Sequence, residues 1–261
     1  MPCWIFAPNA SLIVDMSQPL QNSAPEALIA SREFQKSAMA AKLNWLRAGV
    51  LGANDGIMST SGLLMGIAGA TTDSNVILFS GVAAVVAGSI SMAGGEYTSV
   101  SAQKDSELAA LETERKELAE QPELELRELT WFYEQKGLDF ELAHQVAKQL
   151  TQKDALKAHA EAELGIELGA HASPSAAAIS SFVSFAAGGI LPLLAVTGPW
   201  VTLRIPVTIA AVVIALVITG YVGARIGGAK ALKPILRNVL ISLATMGVTY
   251  GIGMLVGHPL A

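Results

Sequence analysis

The sequence predicts an all-α polytopic membrane protein: five transmembrane helices with a cytoplasmic insert of three helices. Three observations lead there. Hydrophobic residues make up 52% of the 261 residues and charged residues only 15%, against about 25% charge in a typical soluble domain. Five apolar segments are long enough, or nearly so, to cross a hydrocarbon core of about 30 Å. Charge is also segregated: 16 of the 22 acidic and 8 of the 17 basic residues fall between Gln103 and Glu167. No strand alternation and no internal repeat competes with this reading.

Residues 1–42 read as a polar, poorly ordered N-terminal tail. The opening run MPCWIFAPNASLIVD is apolar but lacks the basic start of a signal peptide, and Met16 is a second candidate for the true start. Cys3 is the only cysteine, which excludes an intrachain disulfide and an iron–sulfur cluster built by this chain alone. The first two spans lie within 43–102, at about Ala48–Ala70 and Val76–Tyr97. Residues 103–167 form the acidic block. Its first helix continues the second span, since no Pro or Gly intervenes between Tyr97 and Gln121. Pro122 opens a second helix that stops at Gly137, and a third covers about Asp139–Leu164. Residues 168–261 carry the last three spans, at about Ser175–Val196, Ile205–Ala224 and Pro234–Gly257.

Basic residues alternate in the flanks. Arg32, Lys36, Lys42 and Arg47 precede the first span, and Arg225, Lys230, Lys233 and Arg237 lie near the fourth-to-fifth connection. The loop TTDSN and the tail GHPLA have none. This places the N-terminus and the acidic block in the cytoplasm and the C-terminus outside. The short loops and the missing targeting peptide point to a bacterial inner membrane. A net acidic block argues against nucleic acid as a partner and suits cations.

Two carboxylates fall inside the spans, Asp55 and Glu96. A carboxylate at bilayer depth costs several kcal/mol on most scales, so it faces a cavity or a partner. Met92 lies one turn before Glu96 on the same face. Oxygen with thioether sulfur suits a late first-row divalent ion better than Mg2+ or Ca2+. Gly52, Gly56, Gly94 and Gly95 flank these residues and let helices approach or open. Each residue also has a plainer reading: Asp55 as a cap or packed hydrogen-bond partner, Met92 as core filler, Glu96 as a solvated boundary residue.

In the acidic block, Glu114 and Glu117 are spaced i, i+3, as are Glu125 and Glu128; His159 and Glu163 are spaced i, i+4. Together they compose an oxygen-rich site with one imidazole, suited to Fe2+ or Mn2+. The alternative is a solvated Glu-rich surface neutralised by Arg115, Lys116 and Arg127. Glu141 and His144 match the Glu-x-x-His spacing of di-iron bundles, but only once where two copies are needed. No phosphate loop, hydrolase elbow or dinucleotide fingerprint occurs; without a phosphate loop the chain is expected not to hydrolyse ATP, so uphill transport would be coupled to an ion gradient or a partner.

The stretches RAGVLGANDGIMSTSGLLMGIAGA, VAGSISMAGGEYTSV and ELGIE resemble the vacuolar iron transporter family, from about Leu43 to the C-terminus. The resemblance implies five spans, a homodimer with the pore at its interface, and a cytoplasmic metal-binding domain of three helices. It implies export of Fe2+, and often Mn2+, from the cytosol in exchange for protons, with no prosthetic group. It places the pore residues at Asp55 and Met92, and the cytoplasmic ligands at Glu114, Glu117, Glu125, Glu128 and Glu163. This chain departs from the family pattern at Ala48 and Ala84, where plant members carry acidic residues, and at His159 and Ala160, where methionines stand. Competing readings are a manganese-specific exporter, a membrane metal sensor or scaffold without flux, and a di-iron oxidase.

Overall fold

The computed structural model describes residues 26–168 and 173–257, with side chains from residue 48 onward; the two candidate start positions lie outside the described residues. The elements are α1 (Glu26–Ala70), α2 (Ser74–Glu120), α3 (Pro122–Gln135), α4 (Phe140–Ala162), α5 (Pro174–Thr197), α6 (Arg204–Ile226) and α7 (Leu232–Gly257). A single 3-10 turn, Val201–Leu203, precedes α6. Among the described residues there is no strand. The backbone of 26–42, part of the stretch read from sequence as a tail, is helical.

Local chemistry sets the helix ends. Asp73 caps α2: its Oδ1 accepts from the amides of Asn75 at 2.8 Å and Val76 at 3.3 Å, the arrangement that an N-terminal aspartate supplies to the unpaired first-turn amides. Pro122 begins α3 and Pro174 begins α5, where the missing N–H costs nothing. After α3 the chain turns through Gly137 at φ +97°. That left-handed conformation carries no Cβ penalty for glycine.

Among the described residues, four helices are long and apolar enough to cross a membrane: the apolar part of α2, then α5, the stretch Val201–Ile226 containing α6, and α7. The 48–70 part of α1, expected from sequence as a fifth span, is not among the four. Asn54, Asp55, Ser59, Thr60 and Ser61 dilute its apolar character. It is nonetheless packed inside the bundle. Ile57 and Met65 join Val212, Ala215, Leu216 and Met246 of α6 and α7 in one buried cluster. Leu64 joins Ile77 and Val85 of α2 and Leu193 and Val196 of α5 in another.

The approach of α1 to α5 depends on missing side chains. A Cβ on Gly52 would lie 2.9 Å from the carbonyl oxygen of Ser181, and one on Gly56 would overlap the carbonyl of Phe185. Without a hydrophobic drive between helices in lipid, small residues at the seam supply close packing. Gly94 and Gly95 differ: nothing lies within 4 Å of where their Cβ would be.

Beyond the span, α2 continues without a break to Glu120. Its distal part packs with α3 and α4 around Leu129, Ala147 and Ala158. α4 is not one straight helix. At Asp154 the backbone leaves the helical region (φ −166°, ψ 96°), and a second helical segment carries the chain to Ala162.

Gly56→Leu is expected to lower stability in detergent by about 1–3 kcal/mol, the usual cost of overpacking, while Gly94→Ala leaves it nearly unchanged. Thermal melts followed by size-exclusion chromatography check both.

Candidate metal centre and membrane cavity

Three side chains converge in the interior of the α2–α3–α4 group: Glu114 from α2, Glu125 from α3 and His159 from α4, at 2%, 4% and 0% exposure. One ligand atom from each lies within 4.8 Å of the other two, a spacing that a single ion could bridge. His159 Nδ1 stands 2.9 Å from Glu114 Oε1, 3.7 Å from Glu125 Oε2 and 3.6 Å from Glu163 Oε2. Glu163 is partly exposed and closes one side.

The helices aim these groups inward for ordinary reasons. On α2, Leu111 and Glu114 share the buried face at i, i+3. On α3, Glu125 shares it with Leu129 at i, i+4. The last turn of α4 is closed by Gly165 at φ +64°, where the Ile166 N–H donates to Ala160 O at 2.8 Å. Glu163 is the C-cap of α4, its N–H donating to His159 O at 2.9 Å.

Electrostatics at the centre are unfavourable as they stand. Burial, then the charges of Glu163, Glu125, Glu117 and Glu128, push the Glu114 carboxyl up to about 7. Burial, followed by Glu128, also raises Glu125, against an opposing pull from His159. Burial, Glu128 and Glu117 raise Glu163. Burial lowers His159, overriding Glu125 and Glu128, so the imidazole is held toward its neutral form. It is therefore no permanent counter-charge. Among the described residues neither ring nitrogen of His159 has a hydrogen-bond partner, and neither does Glu114 Oε1; the 2.9 Å contact lacks hydrogen-bond geometry. Arg115, a possible neutraliser by sequence, instead pairs with Glu112 at 2.7 Å on the exposed side.

Glu117 and Glu128 do not enter the cluster. Both are exposed and act on it only through their charge. Glu141 and His144 stand apart from it. Glu141 is exposed; the His144 ring stacks on Phe140 and its Nδ1 lies 3.3 Å from Thr130 Oγ1. Ala160, at a place where the family pattern has methionine, is fully buried beside His159.

Within the bundle, Asp55, Met92 and Glu96 line one cavity of about 470 Å³, together with Ser59, Thr60, Ser91 and Phe185. Ala84, one of the positions where plant members are acidic, lines it as well. Asp55 also borders a second cavity of about 520 Å³, shared with Asn54, Thr219, Arg237 and Asn238. Among the described residues it is the only one common to both. Thr219 Oγ1 donates to Asn54 Oδ1 at 2.6 Å, joining α6 to α1 one residue from Asp55. Among the described residues neither a hydrogen bond nor an ion pair holds the Asp55 carboxylate, and Arg237 makes no ion pair with it. Hydropathy and spacing carried no sign of the second cavity or of the Asn54–Thr219 link, because both join segments far apart in sequence.

The VIT family model matches residues 46–254. A vacuolar iron transporter of Acanthamoeba castellanii is 44% identical over 214 residues, covering 81% of this chain and 78% of that protein. Vacuolar iron transporter homolog 5 of Oryza sativa subsp. japonica is 35% identical over 216 residues, covering 82% and 81%. Vacuolar iron transporter homolog 4 of Arabidopsis thaliana is 34% identical over 217 residues, covering 83% and 86%. These proteins come from an amoeba and two plants and are named for the vacuole, so the bacterial inner membrane expected from sequence finds no support in them. With its apolar helices, the match over most of its length and these relatives, the chain is an integral membrane protein that belongs to the VIT family, a family of transporters and not of enzymes.

Proposed function

We propose that this protein exports Fe2+ from the cytosol by proton antiport, through a pore at the interface of a homodimer. The observation that carries the reading is the single cavity joining Asp55, Met92 and Glu96: two hard oxygens and a soft sulfur along one membrane path suit a late first-row cation. Names of relatives support iron as cargo. In this reading the 48–70 part of α1 is the fifth span. Its polar residues are tolerated because it lines the path instead of facing lipid. The basic flanks put the N-terminus and the acidic helices, 103–167, in the cytoplasm.

The ion is first collected by Glu114, Glu125, His159 and Glu163, with Glu117 and Glu128 drawing cations toward them by their exposed charge. It then passes to Glu96 and Met92 and on to Asp55. Asp55 borders cavities on two sides, which supports a carboxylate reached alternately by metal and by proton. In one chain Asp55 is exposed on the same side of α1 as Leu51 and Leu63. A carboxylate cannot face hydrocarbon at small cost, and a second copy on that face would remove the difficulty and place two Asp55 side chains near one axis.

A manganese exporter of the same architecture is favoured by a different observation. The buried set Glu114, Glu125 and His159 contains no sulfur, and oxygen with imidazole suits Mn2+ as well as Fe2+.

Asp55→Asn is expected to abolish Fe2+ flux into proteoliposomes while leaving ion binding at the acidic helices intact; parent-rate flux from this variant contradicts the pore assignment. Parallel Fe2+ and Mn2+ uptake, with a pH-sensitive dye inside the vesicles, separates the two cargoes and reads the proton exchange directly.

The centre also has a pH signature. An ion must displace the proton from Glu114, held up to about 7. Mn2+ affinity is therefore expected to rise with pH to about 7 and level above it, changing by up to about tenfold per pH unit for each proton released. Ion-free stability runs the opposite way. Carboxyls raised in the fold favour it below their ordinary value of 4.5, and that contribution is lost as pH rises toward about 7. His159, lowered in the fold, acts in the other sense, its contribution fading as pH falls below 6.5. Calorimetry and thermal melts across this range check both trends.

A further inference from the structure

We propose that Asp154 is a positioning residue for the acidic centre: it caps a new helix inside α4 and so turns His159 and Glu163 onto Glu114 and Glu125. This rests on the reading of that centre as a cation site.

At Asp154 the backbone is extended, and the side chain takes over the work of the interrupted helix: Oδ1 accepts from the Lys157 amide at 3.0 Å. The same geometry occurs where α4 begins, with Asp139 Oδ1 accepting from the Leu142 amide at 3.0 Å. Each is an aspartate bonded to the amide three residues on, the arrangement of an N-cap. α4 is thus two helices in tandem, each with its own aspartate cap. The second, residues 155–162, has His159 near its middle and is closed at its far end by the turn through Gly165.

The break decides where His159 points. The first part of α4 buries Ala143 and Ala147, one stripe at a four-residue spacing. In an unbroken helix at about 100° per residue, His159 would stand about 120° around from Ala147, off that stripe. The second helix instead buries Ala158, His159 and Ala160 in succession. A helix lying against one neighbour buries a stripe; three consecutive buried residues require partners on more than one side. The second helix therefore enters between α2 and α3, whose Glu114 and Glu125 meet His159 there. Any residue can adopt the extended backbone at 154. What aspartate adds is the cap, which asparagine supplies equally and alanine does not.

The test uses the full chain in detergent with Mn2+ as the probe, the unbound ion being counted by its electron paramagnetic resonance signal. His159→Ala is the reference for loss of a ligand. Asp154→Ala is expected to weaken Mn2+ binding about 10–100-fold, as loss of support behind a ligand does, with helix content by circular dichroism and elution volume unchanged. Asp154→Asn is expected to bind within about threefold of the parent, because the cap is retained. Parent-like binding by Asp154→Ala alongside weak binding by His159→Ala overturns the proposal. Equal weakness of the Asn and Ala variants overturns it too, since the carboxylate would then act by charge. Parent-like binding by His159→Ala removes the cation-site reading itself. Should the alanine variant not elute as the parent does, Asp154→Asn decides alone, and loss of binding by it overturns the proposal.

Discussion

Negative charge held out of water, without a permanent positive partner, is the constraint on which the rest of this protein depends. Glu114 and Glu125 are buried together in the interior of a small helical group, where like charges repel and solvent cannot screen them. The one basic group among them, His159, is kept toward neutrality by its own burial. Two nearby bases pair away from the centre, Arg115 with Glu112 and Lys157 with Glu161, both on the exposed side. A well-packed apolar set of the same volume would be less costly to bury. The arrangement is intelligible if a divalent cation supplies the missing charge for part of the time.

The fold serves that constraint by carrying one element through both regions. α2 has 47 residues, about 70 Å at 1.5 Å per residue, and bears Met92 and Glu96 in its membrane part and Glu114 beyond it. Glu96 and Glu114 are separated by about 27 Å along this axis, so the acidic centre at one end and the cavity at the other share one continuous helix. Around it, Gly52 and Gly56 bring α1 against α5, and the Thr219–Asn54 bond joins α6 to α1. Asp55 is left between two cavities. Its neighbour Asn54 is held by α6, so a polar group adjacent in sequence does not become a fixed partner for it.

Much of the helical framework was legible because hydropathy and helix breakers act locally. The apolar runs from Val76, Ser175, Ile205 and Pro234 begin within two residues of observed helix starts. The first apolar run, Ala48–Ala70, is expected from sequence as a span but is not among the four found, since Asn54, Asp55, Ser59, Thr60 and Ser61 weaken its hydropathy. At the acidic helices, spacing drew attention to Glu114 and Glu125 but gave Glu117 and Glu128 equal weight. Which member of each i, i+3 pair turns inward depends on helix packing: Leu111 and Leu129 take Glu114 and Glu125 inside with them. The break at Asp154 escaped because Ala, Leu and Lys on both sides favour helix, and a lone aspartate reads as a surface residue unless its backbone is seen. The second cavity beside Asp55 joins α1 to α6 and α7, an association that no local pattern encodes.

The most direct test of the account is anomalous diffraction at the manganese edge from crystals of the full chain grown with Mn2+. The account predicts a peak bounded by the carboxylates of Glu114 and Glu125 and a ring nitrogen of His159, with Glu163 within reach. Ordered side chains at these positions with no anomalous peak between them, under conditions where the protein binds Mn2+ in solution, would contradict it.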